Sequence, residues 1–331
     1  MLRDHKVDLE GLKALVDFQV EEGVNGILAV GTTGESPTLT WDEHNRVIEK
    51  VHEYNAEQSL TIAGTGSNCT RESMENTEHA YDLGIRAVLL VDPYYNGPSS
   101  LEIRREYISP IAERFPDVQI IPYIIPARTG TQLLPQDLAI LHSQYSSVRT
   151  IKEATGDLEN MKLTRKLCGD SLDILSGDDD KTVAMMTDKA IEASGVISVT
   201  SNIAPAAVQK MTTLFLEGKL DEAEKLSNAL KPLFQIVTVK TATETPFGEV
   251  SVKARNPLPY KSLMNILGMP AGPPRKPIGK MTSSGLHILL EATRKVYEND
   301  SWILEPIEDF FDVDLSKRLY QEKFWRGLAY D

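Results

Sequence analysis

The chain has 331 residues, enough for one large domain, a smaller one and a sizeable core. Its 35 basic and 48 acidic residues leave a formal charge of −13, which disfavours nucleic acid as a partner; the two cysteines, Cys69 and Cys168, exclude a disulfide scaffold and a Cys-only zinc site and fit a reducing cytoplasm. No apolar run approaches the ~18 residues of a membrane span, and residues 1–6 are too polar for a signal-peptide core.

Residues 8–22 place Leu9, Leu12, Leu15, Val16 and Val20 on one face and predict a helix. The run 26–30 predicts the first strand. Residues 40–54 predict a helix opened by a capping box of Thr40 and Glu43, and 60–63 the second strand. Thr70 is expected to open the helix 70–83 in the same way, with Glu72 in its first turn. Strands follow at 87–91, 118–123, 148–152, 172–176 and 195–199, and helices at 158–167 and 179–186. The strand runs are nearly continuous in Val, Ile, Leu and Ala, the pattern of parallel strands buried on both faces. From about residue 205 strands cease. Residues 205–216 and 219–236 read as helices joined at Gly218, 256–277 as a Pro-rich stretch around a short helix at 260–267, and 283–297 as a last helix. The acidic tail beyond carries Trp302, Phe310, Phe311, Phe324 and Trp325, which predict docking onto the body or a neighbouring subunit.

Strand–helix alternation predicts an α/β fold. The nearest thing to a dinucleotide fingerprint, Gly64-Thr65-Gly66-Ser67-Asn68-Cys69, lacks the third glycine, and there is no P-loop. The seven strands favour a (β/α)8 TIM barrel short by one strand over residues 1–205, then a C-terminal helical domain at 206–300 and a tail extension at 301–331.

Four strand ends carry reactive side chains. Lys152 ends its strand, where partial desolvation lowers an amine's pKa and makes it nucleophilic toward carbonyls. Gly31-Thr32-Thr33-Gly34-Glu35-Ser36 follows the first strand, and such a turn can hold a carboxylate on exposed N–H groups. Tyr94-Tyr95-Asn96 follows the third strand; Tyr123 ends the fourth, with Arg128 five residues on. A tyrosine there can relay protons, and an arginine can grip a carboxylate. Taken singly, each group also fits a blander role: a solvated lysine, an ordinary turn, a packed aromatic, a surface ion pair. Their coincidence at successive strand ends favours a site. His5, His52, His79, His142 and His287 lack metal-ligand spacing and read as surface or helix-face residues, and both cysteines as buried thiols.

These residues lie in stretches 31–36 (GTTGES), 93–96 (PYYN), 123–130 (YIIPARTG), 151–154 (IKEA), 176–179 (SGDD) and 195–200 (GVISVT). In that order and spacing they resemble the class I pyruvate-dependent aldolase and lyase family that includes dihydrodipicolinate synthase and N-acetylneuraminate lyase. The resemblance runs from about Val7 to Asn299 and includes 256–261 (NPLPYK). It implies a Schiff base between Lys152 and pyruvate, with Thr32 and Thr33 on the pyruvate carboxylate. Thr33, Tyr123 and Tyr95 would form a proton relay, Tyr95 reaching across a dimer interface. Arg128 would hold the carboxylate of the incoming aldehyde, and Gly177 and Ile197 would line the pocket.

Arg128 suits L-aspartate 4-semialdehyde, so the resemblance implies a lyase making 4-hydroxy-tetrahydrodipicolinate in lysine and diaminopimelate biosynthesis. No cofactor or metal is implied. A cytoplasmic homo-oligomer, a dimer of dimers, is expected, with lysine as an inhibitor at Ser36, Trp41, His44, Asn68, Glu72 and Tyr94. Two alternatives remain open: an aldolase for 2-keto-3-deoxy sugar acids or 4-hydroxy-2-oxoglutarate using the same imine, and a non-catalytic protein binding lysine or a keto acid. The sequence departs from the family pattern in three ways. The first barrel strand is missing ahead of the helix at 8–22, which points to a late-assigned start or a truncated chain. Ile124 stands where the family usually has asparagine. The tail and the segment 241–255 are long.

Overall fold

The computed structural model describes residue 1 and residues 6–330. Helix α1 (Leu9–Glu21) starts at Asp8, whose carboxylate accepts the Gly11 N–H. Strand β1 (Gly26–Ala29) follows. Helix α2 (Trp41–Asn55) opens on the Thr40–Glu43 capping box, and β2 (Leu60–Gly64) returns to the sheet. Helix α3 (Thr70–Asp82) begins instead at Cys69 with no side-chain cap, because the Thr70 hydroxyl donates outward to the Glu106 carbonyl. Strand β3 (Ala87–Val91) is followed by a helical run that the sequence reading lacks: α4 (Ser100–Glu102), a π-helical stretch Ile103–Ile108 and α5 (Ser109–Arg114). Then come β4 (Gln119–Ile124), the short α6 (Pro126–Thr129), a second unforeseen helix α7 (Pro135–Gln144), β5 (Thr150–Glu153), α8 (Leu158–Cys168), β6 (Asp173–Ser176), α9 (Thr182–Thr187) and β7 (Gly195–Val196).

The seven strands form one parallel sheet in chain order β1 to β7. Most are bounded within a residue or two of the sequence expectation, but the last keeps two residues where 195–199 is expected, because Thr200 leads into a 3-10 turn. Apolar side chains outside the sheet pack under the helices, and a smaller cluster with Ile62, Leu89, Ile121 and Tyr123 fills the inner face.

Among the described residues no strand closes β7 onto β1. Side chains span that seam instead. Gln19 of α1 donates to the Ser201 carbonyl at 3.0 Å. Gln209, on α10 (Pro205–Leu216) beyond β7, donates to Asn25, just ahead of β1, at 2.6 Å.

Past residue 205 the chain continues with α11 (Leu220–Phe234), but strands do not cease. Strands β8 (Thr238–Thr245) and β9 (Gly248–Arg255) form an antiparallel hairpin. Its Thr- and Val-rich sequence suits strands, yet only its base is buried, at Val239 and Ala254, so no apolar face marks it in the sequence. Helices α12 (Leu258–Leu267), α13 (Ser283–Asn299), α14 (Glu305–Phe311) and α15 (Leu315–Tyr320) complete the chain. The tail packs inward: Phe310 and Phe311 of α14 lie 5.3 and 5.2 Å from the Phe18 ring of α1.

His142 is buried, not superficial: its ring bonds the Val148 carbonyl at 2.7 Å and the Ser171 hydroxyl at 2.9 Å. Cys168 is buried, whereas Cys69 is half-buried at the helix start. His5 lies outside the described residues. Among the described residues no helix is long and apolar enough to cross a membrane.

Candidate active site

Parallel pairing sets the central geometry. Tyr123 and Lys152 are register partners on β4 and β5, and register partners point to the same face. Both face inward, with the Lys152 amine 4.3 Å from the Tyr123 ring centroid. Their successors, Ile124 and Glu153, point the other way. Ile124 therefore packs under the helices, and its replacement of an asparagine adds nothing to the cavity wall.

Burial lowers the Lys152 amine from 10.5 to about 8; Asp179 and Asp178 pull it back up. A usable fraction is thus neutral, and nucleophilic, near neutral pH. Burial pushes the Tyr123 phenol up to about 12, with the Arg128 charge pulling the other way. This tyrosine stays protonated and can donate.

Lys152 and Tyr123 border a cavity of about 960 Å³ that Thr32, Thr33, Arg128, Gly177 and Ile197 also line. Gly177 is required there: a Cβ would sit 3.1 Å from Lys152 Cε and 2.8 Å from the Ala154 Cβ. Tyr95 is not part of this wall. It is 90% exposed, with φ at +80°, and its N–H is held by the Thr129 carbonyl at 3.3 Å. Such a backbone costs on the order of 1–3 kcal/mol and presents the phenol away from its own chain.

The sequence model of the Dihydrodipicolinate synthetase family matches residues 1–294. The chain belongs to that family. It is 39% identical over 282 residues to the 4-hydroxy-tetrahydrodipicolinate synthase of Methanococcus maripaludis strain C6, covering 85% of this chain and 90% of that relative. Dihydrodipicolinate synthase from Aquifex aeolicus superposes with a TM-score of 0.81 at 34% identity, covering 92% of this chain and 96% of that one. The enzyme from Cyanidioschyzon merolae, solved with lysine bound, superposes at 0.80 and 31% identity over 89% of this chain and 94% of its own. Solved members of the family thus share this chain's barrel architecture.

Several groups that hold this family member's site together carry no role in the sequence reading, although stretch 256–261 lies within the resemblance. The Asn256 amide donates to the Thr33 hydroxyl at 2.9 Å, and the Asn256 carbonyl accepts from Arg128 at 3.1 Å. Glu35 is buried at φ +60°; its carboxylate pairs with the Lys261 amine and accepts the Arg275 N–H at 2.8 Å. Arg275 also pairs with Glu43. On the far side of the seam, the Tyr260 hydroxyl lies 2.7 Å from that of Thr200, just past β7. Helix α12 therefore bridges the turn after β1 and the turn after β7. These are long-range contacts that local pattern does not announce.

The six residues expected to hold lysine stand outside the cavity wall. Trp41 and His44 meet edge-on at 5.1 Å, and burial pushes His44 down to about 4 with both ring nitrogens unpartnered. Glu72 accepts from Ser67 at 2.6 Å, and its charge, after burial, raises Tyr94. Among the described residues no hydrogen bond or ion pair joins Trp41 and His44 to Asn68, Glu72 and Tyr94.

Proposed function

We propose that this chain condenses pyruvate with L-aspartate 4-semialdehyde to give 4-hydroxy-tetrahydrodipicolinate. The observation that carries the reading is the buried Lys152 amine, poised near pH 8 beside Tyr123 in a cavity that also holds Arg128 and two threonines. The names of the relatives point the same way.

The neutral Lys152 amine adds to the pyruvate ketone, and loss of water leaves an imine. Thr32, Thr33 and the backbone around them hold the carboxylate. The imine draws electrons from the methyl group, whose proton leaves through Tyr123 and Thr33, giving an enamine. The enamine carbon attacks the aldehyde, and the new alkoxide takes a proton back from the relay. The substrate amine then attacks the imine carbon, closes the ring and frees Lys152. Arg128 holds the aldehyde substrate's carboxylate, while Gly177 and Ile197 shape the pocket.

Tyr95 completes the relay in a neighbouring subunit, which accounts for its exposure and strained backbone. The working form is a cytoplasmic dimer of dimers. Lysine binds at Ser36, Trp41, His44, Asn68, Glu72 and Tyr94 of paired subunits and inhibits; a lysine-bound relative supports this reading. We also divide the chain into a barrel over 1–205, a helical domain over 206–300 and a tail extension over 301–331.

Borohydride reduction with pyruvate, followed by peptide mass spectrometry, tests the chemistry. A reduced adduct on Lys152 is expected, and a folded protein that yields none refutes the imine. Activity unaffected by millimolar lysine removes the inhibitor site.

A further inference from the structure

Three consecutive aspartates follow β6 and meet different fates. Asp179 is spent on structure: its carboxylate accepts the N–H groups of Val199 and Thr200 at 3.1 and 2.9 Å and the Thr200 hydroxyl at 2.8 Å. Asp180 is exposed, 3.9 Å from Lys181. Asp178 lines the cavity with Lys152, Tyr123 and Arg128. Its backbone is fixed by the Ser176 hydroxyl, which donates to the Asp178 carbonyl at 2.9 Å and accepts its N–H at 3.3 Å. Among the described residues its carboxylate accepts no hydrogen bond of 3.5 Å or less, yet its charge is felt at Lys152, Tyr123 and Arg128.

Half-buried on the cavity wall, this carboxylate takes its donors from whatever fills the cavity, solvent or ligand. Burial, helped by Asp180, pushes Asp178 up to about 6, so it is still charged at neutral pH. The wall thus offers a guanidinium and a free carboxylate within electrostatic reach of each other. An α-amino acid carries the complementary pair on one carbon, a carboxylate and an ammonium.

We propose that Asp178 accepts the ammonium group of the aldehyde substrate while Arg128 holds its carboxylate, so that Asp178 selects an amino aldehyde over its deaminated analogue. The inference rests on the proposed condensation and adds the feature that separates aspartate semialdehyde from succinic semialdehyde. It also places the amine near the imine carbon that it must later attack.

The test compares wild type with Asp178→Asn, which keeps the size and removes the charge. Borohydride trapping with pyruvate is run first on both proteins. Loss of trapping in wild type refutes the condensation, and this inference with it. With wild type trapping, the variant is expected, above pH 8 where Lys152 is mostly neutral in both proteins, to trap equally well and to keep its KM for pyruvate. Its KM for aspartate semialdehyde should rise about tenfold or more, while single-turnover addition of succinic semialdehyde to the pyruvate enamine, which leaves the aldol product on Lys152 because no amine releases it, stays within about twofold of the wild-type rate. Failure of the variant to trap pyruvate, or equal losses with both aldehydes, means that the carboxylate acts on Lys152 and overturns the proposal. An unchanged KM for aspartate semialdehyde overturns it as well.

Discussion

The Asn256 side-chain amide donates to the Thr33 hydroxyl at 2.9 Å, tying the lead-in to α12 to the turn after β1 across 223 residues of sequence. A threonine hydroxyl that accepts this bond has its own proton free to point at a ligand. Asn256→Ala leaves the Thr33 hydroxyl free to rotate. Its expected effect is a rise of about fivefold to tenfold in KM for pyruvate, from the loss of one hydrogen bond of ~1 kcal/mol, with Arg128 still on the residue 256 carbonyl. Steady-state kinetics check this; an unchanged KM shows that Thr33 is held by other means.

Lys152 links pH to both rate and stability. Its amine falls from 10.5 to about 8 on folding. Between those values the unfolded chain binds a proton that the folded chain lacks, so stability rises with pH across the window; below pH 8 the full cost of the buried ammonium is present. Imine trapping with pyruvate should therefore accelerate about tenfold per pH unit below 8 and level off above it. Lys152→Met should abolish trapping and stabilise the fold at pH 7 by on the order of 3 kcal/mol, less the lost contact with the Tyr123 ring. Thermal melts of the two proteins decide it: a less stable Met variant contradicts the account.

Glu35 and Lys261 form a buried ion pair. Removing one partner strands the other charge. Lys261→Met is expected to cost about 3–5 kcal/mol. Adding Glu35→Gln to that variant should recover part of the loss. Urea unfolding with an unchanged m-value measures both. Equal stabilities for the single and double variants would show that no charge is stranded.

Asp92 is buried at the end of β3. One carboxyl oxygen accepts the Leu133 N–H at 2.9 Å and the other has no partner. Burial, and after it the charge on Glu153, raises its pKa from 3.8 to about 8. The unfolded chain ionises Asp92 near its ordinary value while the folded chain keeps the proton, so this group's contribution to stability falls as pH rises from about 4 to 8. Asp92→Asn removes that slope. The variant should gain on wild type steadily from pH 5 to pH 8; a pH-independent difference between them would falsify the assignment.

Much of the fold is legible because buried parallel strands announce themselves as short apolar runs. The motifs at their ends mark Lys152, Tyr123, Arg128 and the two threonines for one cavity. What escapes the sequence has physical causes. Helix α4 does carry a local signal, the Ser99–Glu102 capping box, but Pro110 interrupts the run that continues into α5, and the Pro at the start of α7 reads as readily as a turn. The β8–β9 hairpin buries only its base. Asn256, Lys261 and Arg275 act on residues more than 200 positions away, and local spacing does not encode such a meeting.

The seam between β1 and β7 changes how the site can fail. In a closed barrel, backbone ladders run both ways round the ring, so neighbouring strand ends keep their spacing for as long as any sheet remains. Among the described residues the ladder runs one way only, and α12 with its lead-in completes the circuit with side chains, gripping Thr33 and Glu35 on one bank and Thr200 on the other. Heat that frees this helix and breaks the Gln19–Ser201 and Gln209–Asn25 bonds can drift the two banks apart while every strand stays paired. Inactivation is then expected at a lower temperature than melting, the first set by a handful of polar bonds and the second by the sheet.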